Sequence, residues 1–205
     1  MQPFATVSGP AIPLMLPNVD TDVIIRIDRL TAAQPGGLGP YAFEALRYRP
    51  GGEPDPDCVL NAPAFKDAPI LLAGPNFGCG SSREPAVRAL MAMGVRCVIA
   101  ESFGDIFYAN SFQNGLLPVR LAADEVKALA AECAGGGAAA IDLGRQQVIA
   151  PSGRVFAFDI DPLRRSALLE GLDDIGLTLK SAAAVEAWQA RDRQARPWVW
   201  KVEAA

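Results

Sequence analysis

The run Asn76-Phe77-Gly78-Cys79-Gly80-Ser81-Ser82-Arg83-Glu84 concentrates the reactive side chains of this sequence. Two adjacent hydroxyls and a guanidinium follow two glycines, which let the backbone turn sharply and approach a ligand closely. Arg83 has the planar fork that grips a carboxylate through two parallel N–H bonds. Ala68–Ala73 (APILLA) precedes the run and reads as a buried strand, and Pro85–Met93 follows it as a helix. The loop is thus expected at the C-terminal end of a strand and before a helix, where parallel α/β sheets place their ligands. Unpaired N–H groups and the dipole at the helix start favour an anion. The chemistry indicated is the binding of a carboxylate substrate, with Cys79, Gly80, Ser82 and Arg83 as candidate contacts.

The start of that helix has two readings. Proline is favoured at the first helical position, which makes Glu84 the cap and leaves Ser81, Ser82 and Arg83 in the loop. Alternatively Ser81 caps the helix and Glu84 closes a capping box. That box would put Pro85 where an intrahelical N–H is first needed.

Other chemistries fit worse. The 205 residues contain no histidine, which excludes Ser-His-Asp and Cys-His catalysis and His-ligated zinc. In the Asn76–Glu84 run no Lys precedes a Ser as in a nucleotide P-loop, and it forms no G-x-S-x-G elbow. Cys58, Cys79, Cys97 and Cys133 form no C-x-x-C pair, so a self-contained zinc or iron–sulfur site is not expected, and free thiols in a reducing compartment are. A net charge of -4 without any long Lys/Arg run argues against nucleic-acid and anionic-membrane partners. No apolar stretch approaches the roughly 18–20 residues that span a bilayer. The N-terminus lacks the pattern of a secretory signal, so a soluble cytoplasmic protein is expected.

With 50% apolar and 20% charged residues the chain affords a packed core, and its length suits one domain over 1–205, with a core over about 4–188 and a helix end and tail over 189–205. Short strands are expected at Phe4–Ser8 and Ala11–Leu16 around Gly9-Pro10, then a polar turn at Asn18–Asp22 and a β-branched run at Val23–Ile27. Residues 31–57 hold PGGLGP and PGGEPDPD, a functional loop or a solvated linker. Strands at Ala68–Ala73, Val95–Ala100 and Leu116–Leu121 alternate with helices at Pro85–Met93 and Gly104–Gln113, which predicts a parallel sheet with right-handed crossovers. A helix at Asp124–Cys133, a hairpin over Gln146–Ala150 and Arg154–Ile160, and helices at Leu163–Glu170 and Ser181–Arg193 complete the α/β pattern. Trp198 and Trp200 stand in an otherwise polar tail, packed on the domain or on a partner.

Four collinear segments resemble one family: NVDTD at Asn18–Asp22, NFGCGSSRE, SFGDIFYANSFQNGLLPV at Ser102–Val119 and LLEGLDDIGLTL at Leu168–Leu179. The similarity, from about Phe4 to Trp188, is to the small subunit of 3-isopropylmalate dehydratase, the separate swivelling domain of the aconitase superfamily. The resemblance implies an α/β fold of the swivelling β/β/α type, and a heterodimer with a large subunit that holds a 4Fe–4S cluster. It implies the interconversion of 2- and 3-isopropylmalate in leucine biosynthesis, by dehydration and rehydration. It makes Ser81 the catalytic base and Ser82 and Arg83 ligands of a substrate carboxylate, with no cofactor bound by this chain. A serine hydroxyl ionises far above neutral pH, so such a base needs a dry cavity with N–H donors and cations around it.

The sequence departs from that family in three places. The family usually has histidine-alanine after SSRE, where Pro85-Ala86 stands. It usually has proline where Arg26 stands and an aromatic residue where Arg29 stands, in the segment that distinguishes the substrate's side group. Arg26, Ile27, Arg29 and Leu30 therefore mark a candidate specificity loop. The arginines would suit a more acidic or smaller acid, such as citraconate/methylmalate, dimethylmaleate or an aconitate-like acid, unless they point to water, while Ile27 and Leu30 offer an apolar wall. Loss of activity, leaving a carboxylate-binding homologue, is a further alternative that Pro85 raises. Asp20 and Asp22 read as turn-forming caps more readily than as a metal pair, and Asp173-Asp174 as a cap before Ile175.

Overall fold

The computed structural model describes residues 1–30 and 37–200. Its centre is a mixed seven-stranded sheet of β1 (Thr6–Leu14), β2 (Ile70–Ala73), β3 (Cys97–Ala100), β4 (Leu117–Arg120), β5 (Ala138–Asp142), β6 (Gln147–Ile149) and β7 (Val155–Ala157), in the order β4-β3-β2-β1-β5-β6-β7. β1 joins the two halves. From Ala11 to Leu14 it runs parallel to β2, and from Thr6 to Pro10 it runs antiparallel to β5. Gly9-Pro10 therefore marks a change of pairing partner inside one nine-residue strand, not the turn between two strands that the sequence suggests. Pro10 can donate to neither neighbour, and a Cβ at Gly9 would lie 2.8 Å from the Pro69 ring.

The parallel half follows the predicted alternation: β2, α3 (Glu84–Ala92), β3, α4 (Asp105–Asn114), β4. All residues of β2 and β3 are buried, as expected where helices cover both faces of a parallel sheet. Side chains alternate across it. Leu71, Ala73, Val98 and Ala100 pack with Ala86, Val87 and Leu90 of α3 on one face. Ile70, Leu72, Cys97 and Ile99 pack with Val126, Leu129 and Cys133 of α5 (Ala123–Cys133) on the other. Glu125 accepts a hydrogen bond from the Ala122 N–H at 3.0 Å, which serves the start of α5.

Other segments depart from expectation in informative ways. The β-branched residues after Asn18–Asp22 open in a helix, α1 (Thr21–Ile24), because Asp20 accepts from the Val23 N–H at 2.8 Å and caps it. Of the turn-rich 31–57 region, residues 31–36 lie outside the described set. The stretch around Ala42 and Phe43, both fully buried, is docked on the domain and followed by α2 (Glu44–Arg47), whereas residues 49–57 stay largely exposed. The hairpin forms as β6 and β7, and the unpredicted β5 ties it to β1. α6 (Pro162–Glu170) and α8 (Ala182–Ala195) match expectation within two residues, and α7 (Asp174–Leu179), which sequence periodicity did not announce, is capped by Asp173 at the Gly176 N–H. No helix among the described residues is long and apolar enough to cross a membrane.

Candidate active site

The C-terminal ends of β1, β2 and β3 release three loops that lock onto one another. The Asn18–Asp22 turn is laced to the loop after β2 by Asn18 N–H to the Pro75 carbonyl (2.9 Å), Gly78 N–H to the Val19 carbonyl (2.7 Å) and Thr21 N–H to the Cys79 carbonyl (3.0 Å). Asn76 Nδ2 donates to Asn18 Oδ1 at 2.8 Å, between two residues in left-handed conformation. The loop after β3 joins from the other side: Phe77 N–H donates to the Ser102 carbonyl (3.1 Å) and Gly104 N–H to the Phe77 carbonyl (2.9 Å). Beneath them Phe77 meets Phe107 edge-on at 5.4 Å. Gly78 is required at this crossing, since its φ is +71° and a Cβ would fall 2.2 Å from the Phe107 ring.

This scaffold presents Ser81-Ser82-Arg83. Both serines are exposed, and among the described residues their hydroxyls take no partner. The Ser81 carbonyl is held twice, by the Arg83 N–H at 2.8 Å and by the Thr21 hydroxyl at 3.3 Å. Arg83 is the N-cap of α3, its guanidinium is mostly covered, and its Nη1 pairs with Asp22. One edge of the fork is thereby anchored while other N–H donors remain for a ligand. The helix starts at Glu84, one residue earlier than the proline argument predicts, and the capping box does not form. Pro85 occupies the second helical position, where an N–H has no intrahelical partner anyway.

The structure thus brings Cys79, Gly80, Ser81, Ser82 and Arg83 together with Asp20, Thr21 and Asp22. Asp20 is a cap and Asp22 an ion-pair partner. Sequence reasoning missed Thr21, and missed the pairing of Asp22 with Arg83. The signal available was the polar Asn18–Asp22 turn after a first strand, matched to a second polar loop after a parallel neighbour.

The candidate specificity segment follows α1 directly. Arg26 pairs with Asp28 (3.0 Å) on an exposed turn. Arg29 makes a two-pronged bond to Glu44 (2.9 and 2.5 Å) and stacks over Tyr41 at 4.7 Å. Each bonded carboxylate raises its arginine's pKa further above the ordinary value. Leu30 packs against the core, whereas Ile27 is 60% exposed. Both cations are engaged by acids of their own chain, and the exposed apolar side chain of the segment is Ile27.

Comparison with known proteins places this geometry. The model of the aconitase C-terminal domain matches residues 1–124, the LeuD_N model residues 127–162, and the model of the C-terminal domain of the 3-isopropylmalate dehydratase small subunit residues 174–199. The chain is 48% identical over 201 residues to the 3-isopropylmalate dehydratase small subunits of Afipia carboxidovorans and of a Jannaschia species, covering 97% of this chain and 100% of each relative. The chain belongs to the 3-isopropylmalate dehydratase small-subunit family. A solved 3-isopropylmalate dehydratase structure from Methanocaldococcus jannaschii shares the fold at a TM-score of 0.67 and 28% identity, covering 89% of this chain and 99% of that one.

Aconitase-type membership fits an iron–sulfur cluster in the assembled dehydratase. The donor set among the described residues of this chain does not fit one. Among the described residues no three Cys, Asp or Glu side chains gather as ligands. Cys97 and Cys133 are fully buried in the sheet–helix core, where burial pushes their thiols up, that of Cys133 to about 11, and a metal-ligating cysteine must be a thiolate.

Proposed function

We propose that this chain is the small subunit of a heteromeric hydro-lyase that interconverts 2- and 3-isopropylmalate in leucine biosynthesis, with the iron–sulfur cluster held by its large subunit. Ser81 is the base for the proton next to the substrate carboxylate. Arg83, with Ser82 and the Gly80 backbone, binds that carboxylate, and Cys79 shapes the loop below them. One observation carries the reading: two serine hydroxyls without a partner among the described residues and an anchored guanidinium share a loop that hydrogen bonds between neighbouring strand ends hold in place.

The reading also explains why the site is open. An exposed serine is a poor base, because its hydroxyl ionises far above neutral pH and water screens the cation that would stabilise the alkoxide. A partner that covers the loop excludes that water and lets Arg83 and nearby N–H groups act at full strength on the alkoxide. The engagement of Arg26 by Asp28 and of Arg29 by Glu44 supports isopropylmalate over a substrate with an additional carboxylate, and leaves Ile27 for the isopropyl group.

Reconstitution with the large subunit tests this. Isopropylmalate turnover should require both chains, and Ser81→Ala should lower kcat roughly 10²–10⁴-fold, the scale of a lost acid–base group, while KM moves little. Wild-type turnover by Ser81→Ala would remove Ser81 from its role.

A further inference from the structure

We infer that Thr21 is a positioning residue for Ser81, an inference that rests on the reading of Ser81 as the base. Thr21 is 1% exposed, one of the few buried polar side chains among the described residues, and stands next to Asp22 in the chain. It bonds the serine loop at two points on either side of Gly80. Its N–H donates to the Cys79 carbonyl at 3.0 Å and its hydroxyl to the Ser81 carbonyl at 3.3 Å. Gly80 sits between these anchors at φ +92°, a conformation that costs it little, so the segment has no stiffness of its own there. The Ser81 carbonyl already accepts from Arg83 N–H at 2.8 Å. A second donor fills its remaining lone pair and fixes the plane of the peptide that follows Ser81.

Fixing that plane fixes where Ser81 points. The Cβ direction follows from the backbone at Ser81, and the side chain has no other tether among the described residues. Misplacing a reacting atom by about 1 Å costs on the order of 10²-fold in rate. The hydroxyl of Thr21 never reaches the substrate. It acts through the backbone of the residue that does, and so it should govern turnover and not substrate affinity.

The experiment uses the reconstituted two-subunit enzyme with isopropylmalate. Thr21→Val keeps the buried shape and removes the hydroxyl; Thr21→Ser keeps the hydroxyl. We expect Thr21→Val to lower kcat roughly ten- to a hundredfold with KM within about twofold, and Thr21→Ser to restore most of it. Thr21→Ala, which cannot overpack, is measured alongside in case Thr21→Val fails to fold. Wild-type kcat in the hydroxyl-free variants, a raised KM at unchanged kcat, or equal losses in Thr21→Val and Thr21→Ser would each overturn the positioning role. Ser81→Ala in the same assay separates the two claims: an inactive Ser81→Ala beside a fully active Thr21→Val overturns the positioning alone, and an active Ser81→Ala overturns both.

Discussion

The Asp22 carboxylate pairs with the Arg83 guanidinium, joining the turn after β1 to the N-cap of α3. Asp22 is 54% exposed and Arg83 only 16%. The pair therefore orients a covered cation from the solvent side and adds little to stability, since exposed ion pairs are worth about 0.2–1 kcal/mol. Asp22→Asn should leave the melting temperature almost unchanged and raise KM for the carboxylate substrate several-fold, because Arg83 loses its fixed edge. Arg83→Lys should raise KM further, because an ammonium cannot make the two-pronged contact. Steady-state kinetics of the reconstituted enzyme, with thermal melts of the free subunit, check both. A large drop in melting temperature with unchanged KM would make the pair purely structural.

Gly78 makes the most severe demand on residue type in the site. At φ +71° with a Cβ position 2.2 Å from the Phe107 ring, Gly78→Ala combines left-handed strain of about 1–2 kcal/mol with overpacking of about 1–3 kcal/mol. For a chain of this size that lowers the melting temperature by roughly 5–15 °C. In a Phe107→Ala background Gly78→Ala should cost less, since the two nearest ring atoms, Cγ and Cδ2, are gone while the left-handed strain and the Cβ contact at 2.7 Å remain. Additive destabilisation in the double variant would show that the two positions do not meet.

Much of this site was legible in order but not in contact. The parallel β2-α3-β3-α4-β4 unit follows from buried runs such as Ile70–Ala73 alternating with helical spacing in Val87, Leu90 and Met91, so the serine loop could be placed at a strand's C-terminal end before any coordinates. β5 was not legible: Ala138–Ala140 carry almost no apolar contrast, and their strand state comes from pairing with Thr6–Pro10 across a long stretch of sequence. Gly9-Pro10 misled for a related reason, because its turn chemistry serves a strand that changes partner. The Thr21–Ser81 and Asp22–Arg83 contacts were invisible to local spacing, since only tertiary pairing of β1 with β2 brings their loops together. Arg29 read as a spare cation because Glu44, which holds it, lies beyond the first turn-rich stretch, whereas the acid that holds Arg26, Asp28, stands only two residues away.

The four cysteines should divide into two classes. Cys58 and Cys79 are partly exposed, whereas Cys97 and Cys133 are buried. Burial pushes the Cys133 thiol up to about 11, which keeps the reactive thiolate scarce near neutral pH. The native subunit should therefore present two thiols to Ellman's reagent and the denatured chain four. Binding of the large subunit should then slow modification of Cys79, which lies two residues before Ser81. Unchanged Cys79 reactivity in the complex would place the partner away from this loop.

The C-terminal tail carries its own pH-sensitive closure. The Arg196 guanidinium, which bonds Asp192 at 2.7 Å, holds the Asp192 carboxyl below its ordinary 3.8, with a further contribution from the Trp200 Nε1–H bond at 2.9 Å. Because the folded carboxyl titrates below the unfolded one, its stabilisation is complete above about pH 4 and disappears as pH falls through the lowered folded value. Trp200 should thus stay docked on α8 from neutral pH down to about 5, and release only on stronger acidification. Trp200 fluorescence in a Trp188→Phe/Trp198→Phe background reads this release, and far-UV circular dichroism distinguishes it from global acid unfolding. Asp192→Ala should give the released signal already at pH 7. A released signal at neutral pH in the parent, or a docked one in Asp192→Ala, would show that this carboxylate does not hold the tail.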